Sequence, residues 1–251
     1  MPHLKPQHKT QPLWKTWDNL AQKKGIRHTV YAVNGDEYTG EWLNNHKHGK
    51  GTEKTQSTGA IYDGDWKWGK RDGFGTYSVP DGEGIYIKQY SGGWRNGLKH
   101  GYGMFFYGKK VFYEGEWKEG KRSGWGRMVY DDGSIYEGEW QNDLRHGDGM
   151  LRLPNENRYE GSWKADRKNG PGKFYYLDRG QQYNGVWVDD VPRCGALTDY
   201  GRSSAPMPTK YVIPECALEN VGEVLLEASD DLQQLEKRTK TDAKRLAPTS
   251  A

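Results

Sequence analysis

Three histidines, His48, His100 and His146, fall at equivalent points of a recurring pattern, and imidazole is the commonest metal ligand. The spacing argues against one shared ion. Equivalent points of a β repeat lie at least two strands apart, about 9.5 Å, whereas zinc holds its nitrogens at about 2 Å. The glycines give near matches to phosphate-cradling loops, such as Gly101-Tyr102-Gly103-Met104-Phe105-Phe106-Tyr107-Gly108, but none leads into Lys-Ser/Thr and a helix. Cys194 and Cys216 are too few for a disulfide framework. No Ser/His/Asp or Cys/His set stands out. The chain is therefore expected to be no enzyme, with no catalytic residue, no metal and no cofactor.

The residues that do recur are aromatic, basic and glycine. The unit is Tyr-x-Gly-x-Trp followed by Gly-x-Gly. It begins at Tyr38, Tyr62, Tyr90, Tyr113, Tyr136, Tyr159 and Tyr183, about 23 residues apart, with an insertion near Pro80 to Ile87. In the last unit Cys194 and Ala196 stand where the glycine pair is expected, as befits a terminal cap. Tyr, Gly and Trp at i, i+2 and i+4 share one face of a strand, and Glu114 and Glu116 take the other. Asn45, Gly69, Gly97, Gly120, Asp143, Asp166 and Asp190 follow each Trp by three residues and suit left-handed turn positions. Pairing each Trp with the residue five further on places Gly115 opposite Gly124 and Tyr113 opposite Gly126. It also sets a base opposite six of the indoles (Lys47, Arg71, Lys99, Arg122, Arg145, Lys168), with cation stacking worth about 0.5–1 kcal/mol each.

The fold class that follows is all-β. It is a single-layer, elongated antiparallel meander of fourteen hairpin strands, on the order of 65 Å long, with a short N-terminal helix and a C-terminal helix. Composition agrees: 33% of residues are hydrophobic, while Gly is 34, Trp 11 and Tyr 17 of 251. That is too aromatic for disorder and too polar for a thick globule. The domain plan is a basic arm at 1–35, seven repeats at 36–200, a Pro-containing linker at 201–214, an amphipathic helix at 215–238 and a disordered tail at 239–251.

The net charge of +3 is too small to point to nucleic acid. The excess sits in residues 1–30, with six Lys/Arg against one acid. No secretory leader and no apolar run long enough to span a bilayer is seen, so an intracellular, cytoplasmic setting is expected. Residues 14–24 suit a short helix with Trp14, Trp17, Leu20 and Ala21 on one face, stopped by Gly25. It would cap the edge of the first hairpin, or anchor to a membrane or partner through Lys15, Lys23, Lys24 and Arg27. In 215–238 the heptad residues Leu218, Val221, Leu225, Leu232 and Leu235 form a candidate helix interface, for the chain's own sheet, a second copy or a partner.

Units such as Tyr113-Glu114-Gly115-Glu116-Trp117 and Tyr136-Glu137-Gly138-Glu139-Trp140 resemble the MORN (membrane occupation and recognition nexus) repeat over about residues 36–196. The resemblance implies a scaffold for protein partners, in a motile cilium, sperm flagellum, axoneme or acrosome, with phosphoinositide binding as a disputed further role. Some members add an enzyme domain after the repeats; about 50 residues follow here, too few for one.

The expected partner site is an aromatic-basic groove. It is formed by Trp42, Trp66, Trp94, Trp117, Trp140 and Trp163, by Tyr90, Tyr113, Tyr136 and Tyr159, and by Arg71, Lys99, Arg122, Arg145 and Lys168. The plain alternative is a solvated basic face balanced by Glu41, Asp65, Glu116 and Glu139 on the opposite side. A protein segment, a homodimer partner and an anionic membrane are the candidate occupants.

Overall fold

The computed structural model describes residues 12–200. One helix, α1 (Leu13–Leu20), precedes fifteen strands. They are β1 (Gly25–Tyr31), β2 (Glu37–Leu43), β3 (His46–Lys54), β4 (Ile61–Lys67), β5 (Lys70–Pro80), β6 (Tyr86–Arg95), β7 (Leu98–Phe106), β8 (Phe112–Lys118), β9 (Lys121–Val129), β10 (Ile135–Gln141), β11 (Leu144–Arg152), β12 (Arg158–Lys164), β13 (Arg167–Tyr176), β14 (Gln181–Val188) and β15 (Val191–Asp199). They lie in sequence order in one open antiparallel sheet. Two compact units are distinguished, Met1–Leu144 and Arg145–Ala251.

Fourteen of these strands are the expected seven hairpins. The fifteenth, β1, was not anticipated: it pairs with β2 from Gly25↔Trp42 to Tyr31↔Glu37. The edge of the first hairpin is thus covered by a strand. Helix α1, shorter than expected, buries none of its residues and touches the first hairpin at its turn, where Asn45 Nδ2 donates to the Asn19 carbonyl at 3.1 Å. Residues 201–238 and the tail lie outside the described residues.

The repeat hairpins turn as their residues demand. Both central turn residues are left-handed, for example Asn44 and Asn45 at φ 47° and 64°, Asn142 and Asp143 at 51° and 71°, and Ala165 and Asp166 at 49° and 69°. This is the mirror-image turn whose twist matches the strands.

The register departs from the simple expectation in one respect. Trp117 does pair with Arg122, but Gly115 pairs with Gly126 and Tyr113 with Met128. The second strand bulges between these pairs, and Gly124 sits inside the bulge at φ +74°. Gly124 instead faces Trp140 of the next strand. In three repeats the acid before the Trp stabilises the bulge: Phe74 N–H donates to Asp65 at 2.8 Å, Lys50 N–H to Glu41 at 3.2 Å and Trp125 N–H to Glu116 at 3.4 Å. In the last hairpin the shift falls between Val186 and Trp187, so Gly195 pairs with Gly185. Cys194 and Ala196 therefore replace nothing at the close contact; the glycine lies one residue off the repeat spacing.

Candidate functional site

The repeat tyrosines from Tyr38 to Tyr159 fold back along their own strands. Tyr113 Oη donates to the Glu116 carbonyl at 3.0 Å, and Tyr38, Tyr62, Tyr90, Tyr136 and Tyr159 do the same to the carbonyl three residues on. The phenol then covers the second glycine of the facing strand. A Cβ on Gly51, Gly75, Gly103, Gly126 or Gly172 would come far inside van der Waals contact with the Tyr hydroxyl and ring edge. Burial pushes the phenols of Tyr38, Tyr62, Tyr90, Tyr113 and Tyr159 well above their ordinary range, so they act as neutral donors.

Tyr38, Tyr62, Tyr90, Tyr113 and Tyr159 each pack edge-on against two indoles. In Met1–Leu144, Tyr113 lies 5.2 Å from Trp117 and 5.4 Å from Trp140, at 89° and 84°. In Arg145–Ala251, Tyr159 lies 5.3 Å from both Trp163 and Trp187. Such pairs are worth about 0.5–1.5 kcal/mol beyond the area they bury. The indole N–H of Trp66, Trp94, Trp117, Trp140 and Trp163 donates to the carbonyl of the preceding repeat's second glycine. The rings are core: the repeat tyrosines are at most 2% exposed and the repeat tryptophans at most 9%.

The bases close the arrangement with a one-repeat offset. Lys47, Arg71, Lys99 and Arg122 pair in register with their own Trp, as expected. Their charged ends lie instead over the indole of the next repeat: Lys47 over Trp66 at 5.0 Å, Arg71 over Trp94 at 5.2 Å, Lys99 over Trp117 and Arg122 over Trp140, both at 4.2 Å. In the second unit, Arg145 covers Trp163 at 4.2 Å and Lys168 covers Trp187 at 5.0 Å. Burial pushes the ammonium groups of Lys99 and Lys168 below their usual range.

Lys23, which the sequence offers as part of an alternative membrane or partner anchor, belongs here. Lys23 covers Trp42 at 4.8 Å and is only 7% exposed. Its backbone N–H donates to Asn45 Oδ1 and its carbonyl accepts from Asn45 N–H. Arg122 and Asp143 make that same exchange, as do Arg145 with Asp166 and Lys168 with Asp190. The signal was present in the spacing, since Lys23 precedes Trp42 as Lys47 precedes Trp66.

The expected groove residues thus form one continuous side of each unit, but as a core with bases laid over it. Beside the row of bases on this side runs an apolar row: Tyr77 and Phe105 in the first unit and Leu151 in the second are half-buried, while Met128 and Phe174, in the same row, are buried. Acids hold several bases: Lys47 and Arg71 meet Glu53, Arg122 meets Asp143 at 3.2 Å and Arg145 meets Asp166 at 3.1 Å. No group of His, Cys, Asp and Glu among the described residues could hold a metal. The interface residues Leu218, Val221, Leu225, Leu232 and Leu235, and Cys216, lie outside the described residues.

These hairpins define a class. The MORN repeat family model matches residues 38–57, 62–87, 90–110, 113–135, 136–158 and 159–181, and the chain belongs to the MORN repeat family. The seventh hairpin lies beyond these spans. Among individual proteins, the chain is 67% identical over 92% of its length to "MORN repeat-containing protein 3" of Xenopus laevis, covering 98% of that protein. It is 56% identical over 94% of its length to the Mus musculus protein of the same name, again covering 98%, and 55% identical over 91% to that of Homo sapiens, covering 95%. The family is not a known enzyme family, and its repeats point to an interaction or membrane-binding role.

Proposed function

We propose that this protein is a non-catalytic scaffold that holds a segment of a protein partner along its base-covered side. The observation that carries the reading is the pairing of a basic row with an apolar row on one side of each unit. An amphipathic helix with acidic and apolar stripes would match both rows. The buried indoles and phenols would set the spacing of the bases and touch the partner little. A ciliary or flagellar setting belongs to this proposal as the family resemblance implies it.

The test is site-specific photo-crosslinking from Tyr107, which is exposed and lies 4.6 Å from Phe105. The crosslinker is used with and without Lys99→Gln and Arg122→Gln, after tryptophan circular dichroism has shown both variants folded. A defined protein attached in the wild type and lost in the variants supports the reading. An unchanged set of crosslinked proteins sinks it.

The membrane reading is favoured by α1, where Leu13, Trp14, Trp17 and Leu20 are all exposed and Lys15 lies among them. Pelleting with phosphatidylserine vesicles separates the two readings. Binding that needs anionic lipid, falls with salt and disappears in Trp14→Ser/Trp17→Ser favours the membrane.

A further inference from the structure

The other side of the sheet carries a feature that the base-covered side does not explain. The middle residue of each Gly-x-Gly points away from the Tyr and Trp rings. In three consecutive repeats that residue is aromatic: Phe74 on β5, Tyr102 on β7 and Trp125 on β9, exposed by 58%, 61% and 57%. The corresponding residues elsewhere are Lys50, Asp148 and Pro171, so the stripe belongs to the first unit alone. Bulge geometry keeps the rings up, and nothing within the unit covers them.

We propose that this stripe binds a basic, proline-rich segment of a partner protein in the polyproline II conformation. The first argument is spacing. Rings on every second strand recur at about 9.6 Å. A polyproline II segment returns to the same face every three residues, about 9.3 Å. An α-helix returns to one face every 5.4 Å, or about 10.8 Å over two turns, so the polyproline II repeat is the nearer match to the rings.

The second argument is shape. A cavity of about 270 Å³ lies between Phe74 and Tyr102, lined also by Lys88, Ser91, Met104, Phe106 and Glu114. A second, of about 300 Å³, lies between Tyr102 and Trp125, with Glu114, Arg127 and Glu137 at its sides and Gly115 and Gly126 in its lining. Successive clefts between aromatic rings are how proline-rich segments are gripped.

The third argument is charge. Tyr102 faces Glu116 and Trp125 faces Glu139 across the strands. The adjoining row adds Glu114, which accepts the Tyr102 hydroxyl, and Glu137, which is paired with Arg127 at 3.1 Å. With Glu137 paired to Arg127 and Lys88 at the Phe74 cleft, the carboxylates of Glu114, Glu116 and Glu139 leave the Tyr102–Trp125 end acidic, which calls for a basic occupant there. A second copy of this stripe would bring Glu116 and Glu139 toward their own counterparts, so self-association is disfavoured.

The full-length protein is titrated into a fluorescein-labelled peptide of repeated Arg-Pro-Pro, with repeated Glu-Pro-Pro and a helical Lys/Ala peptide as controls. Fluorescence anisotropy is the readout. Saturable binding of the Arg-Pro-Pro peptide is expected, and neither control should bind comparably. Tyr102→Ser/Trp125→Ser should weaken it at least about tenfold, as loss of central aromatic anchors does, with the thermal midpoint unchanged because both rings are exposed. Glu114→Gln/Glu116→Gln should weaken it and flatten its salt dependence, while Arg122→Gln on the other side should not. Several results would overturn the proposal. They are no binding of the Arg-Pro-Pro peptide, equal binding of the helical basic peptide, undiminished binding by Tyr102→Ser/Trp125→Ser, or a dimer that Trp125→Ser dissociates.

Discussion

Lys23 lies over the Trp42 ring at 4.8 Å, as Lys47 lies over Trp66 at 5.0 Å. A residue outside the repeats therefore does for the first repeat what each repeat does for the next. With β1 behind it, Lys23 is the end of a truncated hairpin: Gly25 faces Trp42 as Gly49 faces Trp66. Arrays of this kind are stabilised mainly through nearest-neighbour interfaces, and their ends need caps. Lys23→Ala should cost about 1–2 kcal/mol by uncovering Trp42, through lost stacking and stem packing. Denaturant unfolding, with Lys24→Ala as an exposed control, reads this directly. Equal stability of the two variants would remove Lys23 from the cap.

Gly126 and Tyr113 test why the second glycine recurs. An alanine methyl at Gly126 has no space beside the Tyr113 ring and hydroxyl, so Gly126→Ala should destabilise by about 2–4 kcal/mol. Tyr113→Phe alone loses the bond to the Glu116 carbonyl, at about 1 kcal/mol. The double variant should cost less than the two singles added, because Phe removes one of the clashing atoms. Additive costs in a double-mutant cycle would show that the strain at Gly126 lies elsewhere.

How much of this was legible depends on the kind of signal. Turn residues, face alternation and the Trp117–Arg122 pairing followed from residue type and spacing, because local chemistry decides them. The Gly115–Gly126 pairing did not, since a bulge is a competition between backbone pairing and capture of N–H groups by Glu116, and spacing alone does not rank the two. The strand β1 was missed because Gly25–Tyr31 carries none of the Tyr-x-Gly-x-Trp signature; only Lys23 and Gly25, set before Trp42 as Lys47 and Gly49 are before Trp66, announced it. Burial of Trp66 or Trp117 was hidden because a one-layer sheet seemed to leave the rings open. Their cover is a base from the preceding repeat, a contact visible only once neighbouring hairpins are placed. Phe74, Tyr102 and Trp125 carry no repeat signal, since the position between the glycines is Lys50, Asp148 or Pro171 elsewhere, and their shared side of the sheet shows only once the strands are paired.

Alkaline pH should unfold the protein through its phenols. Tyr38, Tyr62, Tyr90, Tyr113 and Tyr159 hold their protons above the ordinary value of 10.0 because burial opposes ionisation. Above that pH the folded state binds more protons than the unfolded one, so stability falls as pH rises. Lys99 and Lys168 act with the opposite sign just below their ordinary 10.5, because there the unfolded chain binds more protons. Two lysines against five phenols should give a shallow rise followed by a steep loss. Urea midpoints and tyrosinate absorbance across this range check it. Midpoints that keep rising above pH 10.5 would contradict the phenol assignment.

Asp143 separates turn geometry from side-chain chemistry. Its backbone is left-handed at φ 71°, and its carboxylate accepts from Arg122 N and Nε at 2.9 and 3.2 Å. Gly69, Gly97 and Gly120 occupy the same turn position at φ 77° to 86° without any such carboxylate. Asp143→Gly and Asp143→Ala both delete the clamp on Arg122, but only alanine pays the left-handed penalty of about 1–2 kcal/mol. Asp143→Gly should therefore be the more stable of the two, although it removes more atoms. Asp166→Gly and Asp166→Ala should rank the same way, since Asp166 at φ 69° holds Arg145 through equivalent bonds. Thermal melts of the four variants decide it. Alanine matching glycine at both turns would mean that the clamp, and not the backbone, selects the turn residue.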